Sequence, residues 1–453
     1  MAKKSIWLKR SFFGPMVIFY LVLLLFFGIM QQSKLPAAPL IGMQISSIFI
    51  TYFFSFLYSK KSIAVTCTIV FFFQLICSFG LRYFNFEYFH DPLGFKPADA
   101  LAYHEVACRF YRYSLRDFVM FMDSMEFMLD DRGMNYITYF IYKIAGSPDK
   151  GLNLAVFTNV CCITMSAFLA FKLTNVYVET KYAQFIAFIW GTQLYATYTA
   201  ATGLKENFMV LFIVASLYYI AILYNEFTWK NLFMAIFFAL FALFFRMAVF
   251  YMLISCILFV AAMRFPTLRK YLYVLLAGAV FLTWFYYQRT FDEMTAMRRG
   301  ADAMDYETYQ GLVEGKMNQV GVFASIVSYL SALIGPLPNI VASGDKANYI
   351  TLFSFSSFCK SFYAFFFLYG IYISIKEKNY SIIAILIFWF LDIFMLIVTF
   401  YTLHDRYHWP HVPIVLTMSA WGAVQWFNHK HPSLLQRTYL IIVLIIIISF
   451  NFR

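Results

Sequence analysis

LFMAIFFALFALFFRMAVFYMLISCILFVAAM, residues 232–263, carries a single charge, Arg246, in an otherwise unbroken apolar run. One helix needs roughly 20 apolar residues to cross about 30 Å of hydrocarbon. A guanidinium stays charged in proteins, and a charge at membrane depth is costly unless it faces protein or a water-filled cavity. Two readings follow. Arg246 closes one short span and opens another in a tight hairpin, or it lies mid-helix against a carboxylate such as Asp392, itself set in an apolar segment.

The rest of the chain is of the same kind. Its 453 residues are 62% hydrophobic and 13% charged, which excludes a soluble globular domain. We expect an all-α, polytopic integral membrane protein forming one domain over 1–453. Spans are expected at about 12–30, 38–58, 62–80, 151–172, 182–201, 207–224, 231–245, 247–263, 271–287, 351–375, 380–402, 410–428 and 436–451, thirteen in all. The first segment is long and lacks a small-residue cleavage site, so it reads as a retained span and not a signal peptide.

A formal charge of +12 invites a nucleic-acid partner, but Lys and Arg gather in short loops beside the spans, where they act as topology signals. No nucleic acid is expected. Lys3, Lys4, Lys9 and Arg10, then Lys60 and Lys61, Lys172 and Lys181, and Arg264, Arg269 and Lys270 fall on one side if the spans alternate. By the charge rule that side is cytoplasmic, with the N-terminus. Residues 321–345 are apolar enough to span but contain Gly335-Pro336-Leu337-Pro338, which breaks a helix. If the segment dips and returns, Lys376, Lys378, Lys430 and Arg437 also face the cytoplasm, so we read it as re-entrant. The seven cysteines show neither zinc nor redox spacing. Nothing implies a metal or cofactor.

This topology leaves three stretches on the outer face: about 81–150, about 288–319, and the link Tyr401–Trp409. Within the first, Ala98–Cys108 reads as a short helix with Asp99 near its start and Tyr103 one turn on. Asn135–Ala145 carries Ile137, Phe140, Ile141 and Ile144 at helical spacing and reads as an interfacial helix. The charged 288–319 stretch reads as an interfacial helix or lid.

Lys205, Arg246 and Arg406 all fall near the outer ends of their spans. Arg and Lys are the side chains that hold phosphate, Arg as a bidentate fork and Lys as a point charge. A lipid with a diphosphate head group would sit at this depth. Asp99 and Glu206 are the carboxylates placed to act as a base, and His404 is the histidine candidate. Tyr103 and Tyr407 have rings able to stack on a sugar. Three histidines within 404–411 invite a metal reading, but no paired spacing with carboxylates supports it.

Four motifs carry a family resemblance: Asp-x-x-x-Tyr over Asp99–Tyr103, Gly203-Leu204-Lys205-Glu206, the Phe245-Arg246 break, and Asp405-Arg406-Tyr407 followed by Pro410 and Pro413. With them the chain resembles the bacterial polymerases of surface polysaccharides, the Wzy-type O-antigen and capsule polymerases and EpsG-like proteins. The general layout is shared with the wider GT-C class of membrane glycosyltransferases. The resemblance implies an enzyme of the bacterial inner membrane that joins oligosaccharide repeat units carried on undecaprenyl diphosphate at the periplasmic face. A chain-length regulator and a flippase are the partners it implies. By that analogy Lys205, Arg246 and Arg406 neutralise the diphosphate leaving group while a carboxylate or histidine activates the acceptor hydroxyl. One departure is Lys205-Glu206, where EpsG-like chains often carry Arg-Gln. The alternatives are a GT-C transferase adding a single sugar from a polyprenyl-phosphate donor, for which Asp91 and Asp99 would serve, and a transporter of lipid-linked oligosaccharide. A transporter implies internal repeats and polar groups at the midplane, and neither pattern is evident.

Overall fold

The computed structural model describes residues 2–30, 37–58, 62–95, 98–124, 129–265, 267, 270–271, 329–335, 337, 340–341, 359–399 and 405–452. The expected span at 271–287 beyond its first residue, the 288–319 stretch, most of 321–345 and His404 lie outside the described residues. Every regular element among the described residues is helical: α1 (Ala2–Met30), α2 (Ala37–Tyr58), α3 (Ile63–Phe89), α4 (Ala98–Phe110), α5 (Leu115–Ser124), α6 (Leu129–Ala145), α7 (Pro148–Asn175), α8 (Thr180–Gly191), α9 (Leu194–Thr202), α10 (Glu206–Asn225), α11 (Trp229–Leu243), α12 (Met247–Arg264), α13 (Cys359–Lys376), α14 (Tyr380–Thr399), α15 (Asp405–His408), a 3₁₀ turn (Trp409–His411), α16 (Val412–Asn428) and α17 (Ser433–Asn451). Six of them, α3, α7, α10, α12, α14 and α17, are long and apolar enough to cross a membrane. This is the make-up of an α-helical membrane protein.

The core is built around α10, which is apolar round most of its surface and buried over most of its length. It packs on α7, α11, α12 and α14. Beside it α13 and α16 run together at close range. A Cβ on Gly422 would lie 1.9 Å from the Phe366 carbonyl oxygen, so only glycine permits this approach.

Hydrogen bonds at the helix ends fix which loops share an end. Tyr177, just past α7, bonds Ser381 at the start of α14 at 3.0 Å. Ser381 Oγ donates to the Ala221 carbonyl late in α10 at 3.1 Å, and the Arg264 guanidinium donates to the Tyr224 carbonyl. Lys172, Lys181, Arg264, Lys376 and Lys378 therefore crowd one end of the bundle. Glu206, the α11–α12 turn and Arg406 occupy the other.

The expected span 182–201 is not one helix. It is α8 and α9, separated at Thr192-Gln193. Side chains from α2 and α3 take up the carbonyls that the break releases. Gln74 Nε2 donates to Gly191 O and Gln193 O at 2.8 and 3.2 Å, and Ser47 Oγ donates to Thr192 O at 2.6 Å. With these partners the broken backbone is satisfied away from water. Three other boundaries shift: α1 starts at Ala2 where about 12 was expected, α3 continues past the expected 80 to Phe89, and α16 is preceded by a short helix and a 3₁₀ turn.

The first loop is three helices. α4 matches the expected Ala98–Cys108 helix, α6 includes the expected Asn135–Ala145 helix but starts at Leu129, and α5 was not anticipated. Phe118 of α5 stacks on Tyr139 of α6 with centroids 4.3 Å apart. Of the four apolar residues expected to form an interfacial face, Phe140 and Ile144 remain exposed, Ile141 is buried and Ile137 packs beside it.

Candidate functional site

The 232–263 run resolves as a hairpin. α11 ends at Leu243, Phe244 and Phe245 turn, and Arg246 is the extended N-cap residue of α12. Two aromatic contacts hold the turn against α10: Phe245 stacks on Phe208 with ring centroids 6.1 Å apart and meets Phe212 in a tilted contact at 5.7 Å. From the other side Gly133 of α6 donates its backbone N–H to Phe244 O at 2.9 Å. A Cβ on Gly133 would lie 2.5 Å from that oxygen, so glycine is required at this contact.

The Arg246 guanidinium lies over the ring of Tyr407, its carbon 4.9 Å from the centroid. Next to Tyr407, Arg406 is bound on two sides. Its Nη2 is 2.5 Å from Asp99 Oδ2, and its Nε donates to Glu206 Oε1. The side chains differ in exposure: 0% for Glu206, 24% for Arg406 and 41% for Asp99. Burial works against the Arg406 charge, but Glu206 and Asp99 outweigh it and hold Arg406 well above its ordinary value. Asp99 thus serves as a counter-ion carried by α4 from the first loop. Lys205 sits buried at the N-cap of α10, beside Glu206.

A second buried group adjoins the first through the same segment. Lys360, early in α13, donates to Ala332 O at 2.7 Å and lies 2.9 Å from His408 Nδ1. The rings of His408 and His411 are 5.3 Å apart and nearly perpendicular. His411 Nδ1 is 2.5 Å from Asp392 Oδ2. Asp392 is within electrostatic reach of Arg246 and Lys360, but its direct partner is His411. Trp409 anchors the segment, with its ring 4.5 Å from Trp190 and 4.9 Å from Tyr195.

The structure therefore brings Asp99, Glu206, Arg406, Tyr407 and Arg246 together, with Lys205 adjoining. Tyr103 is buried, packed with Ala100 into the main core. Lys360, and the pairing of Asp392 with His411, were not anticipated. A lysine within the apolar stretch 351–375 is the signal that would have found the first. Among the described residues no group of three or more His, Cys, Asp or Glu side chains is gathered for a metal ion.

Among the described side chains, four cations (Lys205, Arg246, Lys360, Arg406) and three carboxylates (Asp99, Glu206, Asp392) lie in this region, one positive charge in excess when all are ionised. Such a site can take an anionic group, most directly where Arg406 exchanges the half-exposed Asp99 for it. Comparison with family models, curated protein sequences and solved structures finds no match.

Proposed function

We propose that the chain is a membrane glycosyltransferase that polymerises undecaprenyl-diphosphate-linked oligosaccharide repeat units. Its product would be an O-antigen, capsule or exopolysaccharide, made at the periplasmic face of a bacterial inner membrane. One observation carries the reading: Arg406, clasped by Asp99 and Glu206, lies beside an Arg246 stacked on Tyr407, at the ends of membrane-length helices. A diphosphate arriving at that level from the bilayer meets two forked guanidinium groups. Lys205 and Lys360 add charge from behind, and carboxylates are already in place for the acceptor.

The orientation is part of the proposal. Lys172, Lys181, Arg264, Lys376 and Lys378 crowd the end opposite the site, and the positive-inside rule makes that end cytoplasmic. The architecture we propose has about thirteen spans in a GT-C-like layout, as read from the sequence. The re-entrant reading of 321–345 gains support from two contacts. Ala332 meets Lys360 at the start of α13, and the backbone N–H of Ile340 meets Asn451 at the end of α17 at 2.5 Å, both at the site end.

The test is complementation of a strain lacking this protein with Arg246→Ala, Arg246→Lys and Arg406→Ala, after membrane expression is confirmed. Single repeat units on the lipid anchor with long chains lost support the proposal. Repeat units missing one sugar point to the single-sugar transferase, and normal chain length in all three variants refutes the placing of these arginines in the site.

A further inference from the structure

We propose that His411, oriented by Asp392, takes the proton from the acceptor hydroxyl. The inference rests on the transferase reading above. The carboxylates anticipated as bases each have an oxygen engaged by Arg406: Asp99 Oδ2 by Nη2 and Glu206 Oε1 by Nε. His411 is differently placed. Its Nδ1 lies 2.5 Å from Asp392 Oδ2, so the carboxylate accepts from Nδ1–H and selects the tautomer whose Nε2 carries the lone pair. That Nε2 is fully buried and has no hydrogen-bond partner among the described residues. A nitrogen acceptor enclosed without a donor is costly, and a substrate hydroxyl is the donor that would satisfy it. The dyad also sits on the segment that carries Arg406 and Tyr407, so base and cations belong to one piece of chain.

The step balances. The acceptor oxygen bonds to the anomeric carbon of the donor sugar as its proton passes to His411 Nε2. The bond from that carbon to the diphosphate oxygen breaks, and its electron pair leaves with the lipid diphosphate. Asp392 stabilises the imidazolium formed and acts as a positioning residue. The imidazole is enclosed in the ligand-free chain, which suits a reaction in which water would compete with the acceptor at the anomeric carbon.

The test uses membranes from a strain lacking this protein, carrying each variant and supplied with lipid-linked repeat units extracted from that strain. His411→Ala is expected to slow elongation by about 10²-fold or more, with added imidazole restoring part of the rate. His411→Asn keeps an amide N–H for Asp392 but offers no base, so it should accumulate in the membrane normally and be as inactive as His411→Ala. Asp392→Asn should lower the maximal rate with donor saturation unchanged, and Asp392→Glu should recover part of it. Elongation by His411→Asn within about threefold of the unaltered protein overturns the assignment, as does an Ala variant that accumulates normally, is inactive and is not restored by imidazole. If Arg246→Ala is inactive while His411→Asn is active, only the base assignment fails. If membranes carrying the unaltered protein do not elongate the units either, the transferase reading fails with it.

Discussion

Removing Arg406 should destabilise the protein far more than removing either of its carboxylate partners, for reasons visible in their exposure. Glu206 has no exposed side-chain surface, its Oε2 has no partner among the described residues, and its Oε1 is held by Arg406. Arg406→Ala therefore strands a buried carboxylate, a loss of about 3–5 kcal/mol when one member of a buried pair is deleted. Glu206→Gln leaves the guanidinium with Asp99 and should cost less. Asp99, 41% exposed, is solvated when its partner is lost, so Asp99→Asn should cost about 0–1 kcal/mol. Replacing both buried partners, Arg406→Met with Glu206→Gln, removes the stranded charge and should recover most of the loss. The assay is the fraction of detergent-solubilised protein that stays monodisperse after a heat step, compared across the four variants. The expected order of damage, greatest first, is Arg406→Ala, Glu206→Gln, Asp99→Asn, with the double variant less damaging than Arg406→Ala. An Asp99→Asn as damaging as Arg406→Ala, or a double variant no better than Arg406→Ala, would refute the reasoning.

Three further predictions concern the supports of the site. Gly133→Ala places a Cβ 2.5 Å from Phe244 O and should displace the turn that carries Arg246; chain growth should fall while α13–α16 packing, read by disulfide trapping, is unchanged. Gly422→Ala should instead separate α13 from α16 and lower membrane accumulation, and normal accumulation would contradict the close approach. The third concerns pH. Burial holds His104 below its ordinary value of 6.5 although Asp91 opposes this, and His104 Nδ1 lies 2.6 Å from the Tyr142 hydroxyl. A depressed histidine binds fewer protons folded than unfolded, so its contribution is present above 6.5 and is lost as pH falls below that value. Proteolysis between α4 and α6 should quicken from about pH 7.5 to about pH 5.5, and His104→Gln should flatten that rise.

The helices were legible because hydropathy and length are one-dimensional signals, and the bilayer permits few other structures. α10, α12 and α14 begin and end close to where the apolar runs do. The break between α8 and α9 was not legible, because it depends on Gln74 and Ser47 arriving from other helices to bond the freed carbonyls. Within the site, Arg246 stood out since a charge in an apolar run has few explanations, and the hairpin reading was one of the two it allowed. The convergence of Lys205, Arg246 and Arg406 was legible from topology alone. Their partners were not: Asp99 reads locally as a first-turn acidic residue, and only the fold of the first loop carries it to Arg406. Asp392 looked like a counter-ion for Arg246, yet the turn Trp409–His411 places an imidazole nearer.

The most direct test of the central claim is to reconstitute the purified chain in vesicles with lipid-linked repeat units and follow glycan length and released undecaprenyl diphosphate together. The account predicts that one lipid diphosphate is freed for each repeat unit joined, and that both signals vanish in Arg246→Ala. Chain growth that persists in Arg246→Ala, or purified chain that neither elongates the units nor frees the lipid, would contradict it.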